Sequence, residues 1–150
     1  MKKTFIYYSL TGNGDVIGEY LSDRGFNVQL VRTTEKLPKN KFFRMLVGGY
    51  KAGIGYRDQL DNFNSNIKPY KYVVIGSPIW NSRLSTPINT VLDELDLTDK
   101  EVLFILYSGS GKPNKATSYL KEKYPRSTII NMKEPAKNRK ELYKLDDYLW

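Results

Sequence analysis

The chain has 150 residues, a net charge of +8, and neither cysteine nor histidine. These absences exclude disulfide bonds, iron–sulfur clusters, thiol nucleophiles, a histidine general base, and zinc sites built from cysteine or histidine. Any chemistry is therefore expected to reside in a bound cofactor. The length predicts one domain over residues 1–150, and the lack of a recognisable signal peptide or membrane-spanning run predicts a cytoplasmic location.

Apolar periodicity predicts strands that alternate with helices along the chain. In chain order, strands are expected near residues 3–8, 26–32, 71–76, 101–107 and 127–131, and helices near 13–24, 84–96, 113–124 and 137–149, with a further helix within 38–50. This alternation predicts a doubly wound α/β fold, in which helices cover both faces of a five-stranded parallel sheet. The first, third and fourth strands are nearly continuous apolar runs, as in central strands, whereas the second alternates like an edge strand. The expected strand order is therefore 2-1-3-4-5.

The loop after the first strand, residues 9–14 (Ser-Leu-Thr-Gly-Asn-Gly), has the composition of a phosphate-binding loop. Free backbone N–H groups at the start of a helix attract an anion, and glycine lets the backbone approach it closely. A Walker A loop is excluded because its pattern is absent, and the dinucleotide pattern G-x-G-x-x-G fails because Ile17 occupies its third position. The alternative interpretation is an ordinary strand-to-helix turn that is capped by a threonine.

Two further loops are expected at the same edge of the sheet. Ligands of open parallel sheets bind beyond the carboxyl ends of the strands, where the strand order reverses, here between the first and third strands. The loop over residues 76–83 contains Trp80, and the loop over 107–111 is rich in serine and glycine. Together the three loops predict a crevice for a flat aromatic ligand that carries a phosphate. Trp80 either stacks on that ring or serves in packing.

Positive charge is concentrated in one segment of the sequence. Residues 36–57 contain four lysines and two arginines without any acid, whereas residues 93–101 are mainly acidic. This asymmetry is compatible with attraction of an acidic partner or a nucleic acid, and the alternative is a solvated surface that has no partner.

The motifs in these loops resemble those of short flavodoxins. The matching segments are residues 8–13 (Tyr-Ser-Leu-Thr-Gly-Asn), 76–80 (Gly-Ser-Pro-Ile-Trp), 86–89 and 108–111, and the glycine-containing segment 48–53 is similar to one that many bacterial relatives carry. The resemblance implies a flavodoxin-like fold with non-covalently bound FMN, no catalytic residue and no metal. By position it implies phosphate contacts from Ser9, Leu10, Thr11, Gly12, Asn13 and Gly14, contacts to the flavin ring from Pro78, Ile79, Trp80 and Asn81, and contacts near the pyrimidine edge or ribityl chain from Ser108, Gly109 and Gly111.

The resemblance further implies an electron carrier rather than a stand-alone oxidoreductase. Two alternatives remain: an FMN-dependent NAD(P)H:quinone reductase or protoporphyrinogen-oxidase-like enzyme on the same fold, and a flavin-free basic binding module. Well-known flavodoxins are acidic, whereas this chain is basic. We therefore expect a redox partner with an acidic docking face, or direct use of NAD(P)H or a quinone, without membrane insertion or nucleic-acid binding. Two positions depart from the family pattern, because Gly14 replaces a hydroxyl residue and Asn81-Ser82 replaces a glycine-containing pair.

Overall fold

A mainly parallel β-sheet forms the centre of the computed structural model, which describes residues 1–149. Its strands are β1 (Lys3–Tyr7), β2 (Asn27–Leu30), β3 (Tyr72–Trp80), β4 (Arg83–Leu84), β5 (Glu101–Ser108) and β6 (Thr128–Lys133). Five strands are parallel in the order β2-β1-β3-β5-β6, and the two-residue strand β4 pairs antiparallel with β3. The predicted α/β fold and the order of the five parallel strands are therefore confirmed, with β4 as an addition.

Helices cover both faces of the sheet and create two apolar cores. They are α1 (Asn13–Ser22), α2 (Lys41–Gly53), α3 (Thr86–Glu94), α4 (Lys115–Lys123) and a 3-10 helix (Arg139–Leu145). Successive residues of a strand point to opposite faces. Accordingly, Ile6 of β1 packs in a core with Ile88 of α3, and its neighbour Phe5 packs in the other core with Ile17 of α1. Among residues 1–149, no helix has the length and apolar character needed to cross a bilayer.

The last predicted helix, over residues 137–149, is wrong in type and length. The structure has a 3-10 helix from Arg139 to Leu145, followed by turns. A 3-10 helix has three residues per turn, so residues at positions i and i+3 lie on the same face. Leu142 and Leu145 have this spacing and are both buried. The apolar spacing of three is therefore satisfied by the tighter helix.

The expected loop over residues 76–83 is also wrong, because most of it belongs to the sheet. Strand β3 continues to Trp80, and its late residues Ser77 and Pro78 pair with Leu106 and Tyr107 of β5. Only two residues then form the turn that leads into β4. This tryptophan therefore stands on a strand of a hairpin, where backbone pairing fixes its position.

We expect the protein to lose stability at alkaline pH because several of its tyrosines are buried. Burial is the main cause that raises the pKa of Tyr8 and of Tyr72 to about 12. The negative charge of Asp58 adds to the effect at Tyr8, and that of Glu101 adds to it at Tyr72. Between the unfolded value of 10.0 and the folded values, only the unfolded chain releases these protons. The free energy of unfolding is therefore unaffected by these tyrosines below about pH 10. Above this pH it falls, by up to about 1.4 kcal/mol per pH unit for each tyrosine. Urea unfolding across this range measures the slope. Tyr8→Phe should reduce it, and an unfolding free energy that stays constant to pH 12 would contradict this explanation.

Candidate functional site

A cavity of about 320 Å³ opens at the carboxyl edge of the sheet, beyond β1, β3 and β5. Nine of the thirteen predicted site residues line it: Leu10, Thr11, Asn13, Pro78, Ile79, Trp80, Asn81, Ser108 and Gly109. The other walls come from Tyr107, Glu134 and five residues of α2, namely Lys41, Arg44, Met45, Gly48 and Gly49. A cavity of about 430 Å³ lies elsewhere, between Ala52 and Ala116, and contains none of the predicted site residues. The three sequence segments thus converge on the smaller cavity.

The first loop presents donors for an anion at the start of α1. Gly12 occupies the N-cap position with φ of 85°, a left-handed conformation that favours glycine, and it offers no side-chain cap. Within residues 1–149, the backbone N–H groups of Thr11, Gly12 and Asn13 have no hydrogen-bond acceptor. Thr11 Oγ1 accepts from Asn13 Nδ2 at 3.3 Å, which leaves the threonine hydroxyl free to donate. The cap is Gly12, so the threonine cap that the alternative interpretation predicted is wrong.

Gly14 differs from the rest of this loop because its backbone is already engaged. Its N–H donates to Ser9 Oγ at 3.0 Å, and the residue is buried. A Cβ at Gly14 would lie 2.5 Å from Tyr7 Cδ2 and 2.7 Å from the Tyr107 hydroxyl oxygen. That hydroxyl donates to the Tyr8 carbonyl, and burial raises the pKa of Tyr107 well above its ordinary value. The two tyrosines therefore occupy the space of the hydroxyl side chain that the family pattern has here.

The hairpin of β3 and β4 supplies the aromatic wall of the cavity. Its turn residues Asn81 and Ser82 both have positive φ, of 49° and 63°, as in a type I′ turn. The N-terminus of α4 fixes this turn, because Lys115 N donates to Ser82 Oγ at 3.1 Å and Ala116 N donates to Ser82 O at 2.9 Å. Trp80 is half-buried, and its ring packs edge-on against Tyr8 at 5.7 Å between centroids. The tryptophan therefore packs and lines the cavity at the same time.

The third loop follows β5 and is held by its own serine and by the chain after β6. Ser108 Oγ accepts from Gly111 N at 3.0 Å, and Ser108 O accepts from Glu134 N at 3.1 Å. Gly111 has φ of 65°, and a Cβ there would lie 2.7 Å from Lys133 N, so only glycine fits. By contrast, a Cβ at Gly109 would meet nothing within 4 Å. Gly109 thus leaves open space beside the cavity, while Gly111 shapes the loop.

Helix α2 is the wall that sequence reasoning only partly anticipated. A Cβ at Gly48 would lie 3.4 Å from Trp80 Cδ2, at the limit of ordinary contact, so α2 lies directly against the hairpin at this position. The buried Asp58 ties α2 to α3, because its carboxylate accepts from Lys51 Nζ at 3.4 Å and from Thr86 Oγ1. Asp58 lies just beyond the glycine-containing segment, and no sequence motif marked it.

Ion pairs neutralise part of the basic segment over residues 36–57. Lys51 Nζ lies 3.5 Å from Glu35 Oε2 as well as 3.4 Å from Asp58 Oδ1. Arg57 Nε lies 2.6 Å from Asp93 Oδ2. The other four cations of the segment have no ion pair within residues 1–149: Lys36, Lys39, Lys41 and Arg44. The uncompensated charge therefore lies before α2 and in its first turn, and Lys41 and Arg44 line the cavity.

Fold and site define a flavodoxin-like protein, and comparisons with known proteins agree. Structures similar to this chain include a presumed flavoprotein of Bacteroides eggerthii (24% identity, covering 97% of this chain and 96% of that chain, TM-score 0.75). A flavoprotein of Lactobacillus acidophilus in complex with FMN has 24% identity over 93% of this chain and 97% of its own, with a TM-score of 0.65. An FMN-dependent NADH-azoreductase of Bacillus anthracis, also in complex with FMN, has 13% identity over 96% and 95%, with a TM-score of 0.55. These identities indicate the shared fold alone.

A family model described as Flavodoxin matches residues 55–144, which is more than half of the chain. The chain therefore belongs to the flavodoxin family. This confirms the resemblance predicted from its loops and agrees with FMN as the predicted cofactor. No curated protein sequence matches the chain.

Proposed function

We propose that this protein binds FMN in the cavity of about 320 Å³ and transfers electrons through it. The observation that carries the proposal is the convergence of unpaired N–H groups of the first loop, the Trp80 wall and the open space at Gly109 on one cavity. The donor set suits a phosphate dianion, and the apolar and aromatic wall suits a planar ring. FMN supplies the redox chemistry when bound, and the protein holds the group and limits access of water.

The proposed roles follow the position of each residue. The proposed phosphate donors are the backbone N–H groups of Thr11, Gly12 and Asn13 and the Thr11 hydroxyl, and Leu10 lines the cavity beside them. Ser9 does not line this cavity, and its Oγ accepts from Gly14 N within the loop. Gly14 contributes close packing and no donor. The ring lies against Pro78, Ile79, Trp80 and Asn81, and its polar edge faces Ser108 and Gly109 in a loop shaped by Gly111. The proposed location is cytoplasmic, and the proposed domain spans the whole chain.

The test is a visible absorption spectrum of the purified protein, recorded with and without added FMN, followed by stepwise photoreduction. A bound-flavin spectrum that passes through a one-electron-reduced form supports an electron carrier. Direct conversion to the two-electron form, with rapid bleaching by NADPH alone, supports the reductase alternative. A protein that binds no FMN in excess cofactor would overturn both, and salt-dependent DNA binding would then support the basic binding module.

One observation favours the reductase as the second candidate. A neighbouring cleft of about 300 Å³ shares Leu10 and Arg44 with the proposed FMN cavity. Its walls include three further cations, Arg32, Lys36 and Lys39, and no acid. Phosphate groups of NADPH suit such surroundings, because opposite charges attract and guanidinium groups bind phosphate in a bidentate manner. Slower bleaching by NADPH in Lys36→Glu/Lys39→Glu would support this candidate.

Thr11→Val is expected to weaken FMN binding about tenfold. The substitution removes a hydroxyl that is free to donate to the phosphate, and hydrogen bonds to charged groups contribute about 1.5–3 kcal/mol. Affinity for riboflavin, which lacks the phosphate, should not change. Fluorescence quenching titrations with both flavins measure the difference. Equal weakening of both would show that the substitution disturbs the ring site rather than a phosphate contact.

A further inference from the structure

Helix α2 has an unusual distribution of side chains. Its inward face carries small residues, since Gly48 and Ala52 are buried, whereas its large apolar residues point into solvent. The exposed residues are Phe42, Phe43, Met45, Leu46, Tyr50 and the adjoining Ile54, and each is between 54% and 69% exposed. At 100° per residue, these positions share one half of the helix circumference. This set of six residues is called the α2 apolar face below.

The α2 apolar face requires an explanation beyond its own folding. Single exposed apolar side chains are common, but a contiguous patch indicates an interaction site. The phenyl rings of Phe42 and Phe43 already pack on each other, with centroids 5.7 Å apart, so they form one apolar surface. Burying such side chains against a partner is favourable because it removes apolar surface from water. An exposed helix with this face is therefore poised for a partner.

The location of the face connects it to electron transfer. Met45 belongs to the α2 apolar face and also lines the proposed FMN cavity, where Gly48 and Gly49 of the same helix form the neighbouring part of the wall. A partner that covers the face therefore reaches the mouth of the cavity. Electron transfer between proteins requires such proximity, and transient redox complexes use small interfaces.

Charge specifies the chemistry of the partner. Four cations without an ion pair among residues 1–149 lie before and within the first turn of α2, namely Lys36, Lys39, Lys41 and Arg44, and no acid occurs over residues 36–57. The α2 apolar face therefore has a basic rim at its N-terminal end, and protein interfaces commonly combine an apolar core with a polar rim. A second copy of the chain would bring an identical basic rim, which repels it. An anionic bilayer on this face would cover the cavity mouth and shut out soluble electron donors.

We infer that the α2 apolar face and its basic rim form the docking surface for an acidic electron-transfer protein. The inference rests on the proposed function, because it places the partner at the mouth of the FMN cavity. The partner's complementary surface carries carboxylates around an apolar centre.

The first experiment measures binding without FMN, so its outcome does not depend on the flavin. The FMN-free protein is titrated calorimetrically with a soluble, acidic b-type cytochrome domain at low ionic strength. Phe42→Ser/Leu46→Ser should weaken binding at least tenfold, and Lys36→Glu/Lys39→Glu should weaken it and reduce its salt dependence. The two matched controls change residues outside α2. Tyr143→Ser removes an aromatic ring that is 66% exposed, and Lys140→Glu reverses an exposed charge. Both controls should bind like the unmodified protein.

The second experiment measures electron transfer from the photoreduced, FMN-loaded protein. Transfer to the acidic cytochrome should slow at least tenfold in Phe42→Ser/Leu46→Ser, while transfer to ferricyanide stays unchanged. Equal binding by all variants, or equal rates with a basic c-type cytochrome, would overturn the inference. Micromolar self-association through α2 would also overturn the inference. The same holds if the protein sediments with phosphatidylglycerol vesicles and Phe42→Ser/Leu46→Ser does not. If no FMN binds but the titration gives the expected pattern, the proposed function fails while the docking surface stands.

Discussion

Asp58→Ala is expected to lower the free energy of unfolding by about 3 kcal/mol and to weaken FMN binding. Asp58 is only 6% exposed, and its carboxylate accepts hydrogen bonds from Lys51 and Thr86. Removing one partner of a buried ion pair costs about 3–5 kcal/mol because it strands the other charge, and Glu35, 3.5 Å from Lys51, offsets part of that cost. Since Asp58 joins α2 to α3, its loss also loosens the α2 wall of the cavity. Urea unfolding and FMN titration measure the two effects.

The matched control for Asp58 is Asp93, which pairs with Arg57 on the surface. Both side chains of that pair are nearly half exposed. Exposed ion pairs contribute about 0–1 kcal/mol, so Asp93→Ala should change stability little. Adding Lys51→Met to Asp58→Ala should recover part of the loss, because no ammonium is then stranded. Similar losses for Asp58→Ala and Asp93→Ala would refute the role assigned to the buried pair.

Gly14→Thr is expected to destabilise the protein by about 1–3 kcal/mol and to weaken FMN binding, although it restores the hydroxyl of the family pattern. Its Cβ would overlap Tyr7 Cδ2 at 2.5 Å and the Tyr107 hydroxyl at 2.7 Å. Overpacking of this kind moves side chains and backbone. The affected backbone belongs to the proposed phosphate loop, and the Gly14 N–H to Ser9 hydrogen bond lies within it. Thermal unfolding and FMN titration measure both effects.

Gly18→Ala is the control, because it adds a methyl group to the same helix without such overlap. Its Cβ would lie 3.4 Å from Tyr7 Cε1, at the limit of ordinary contact, and alanine favours the helix. We therefore expect a small change in stability and unchanged FMN affinity. Tighter FMN binding by Gly14→Thr would mean that the tyrosines yield and that the missing hydroxyl limits affinity.

Local patterns predicted the parts of the site that depend on local chemistry. The continuous apolar runs of β1, β3 and β5 identified the central strands, because strands covered on both faces need apolar residues on both sides. The start of α3 followed from Pro87, whose fixed φ suits the first turn of a helix. Since the carboxyl ends of these strands meet at one edge, the loop segments could be placed around one cavity before any side chain was positioned.

Features that depend on distant partners could not be predicted in the same way. The turn at Asn81 and Ser82 requires two positive φ angles, which are stabilised by β4 and by hydrogen bonds from α4. Neither residue is a glycine, so the sequence did not signal a hairpin. Likewise, Asp58 gains its role only where α2 and α3 meet. The outward orientation of Phe42 and Leu46 contradicts the ordinary rule that apolar helix residues point inward, and no local pattern reveals such an exception.

The clamped turn of the hairpin has a consequence for the energetics of ligand capture. Ordering the backbone of one residue costs about 1–2 kcal/mol of conformational entropy. Because Ser82 accepts two hydrogen bonds from α4, the turn is already ordered when the chain folds. Ligand binding therefore does not have to order it. The aromatic wall is thus preorganised, and a ligand meets a surface that already has its final shape. Mutations that free the turn should therefore weaken binding through added disorder in the ligand-free state, with no contact to the ligand lost.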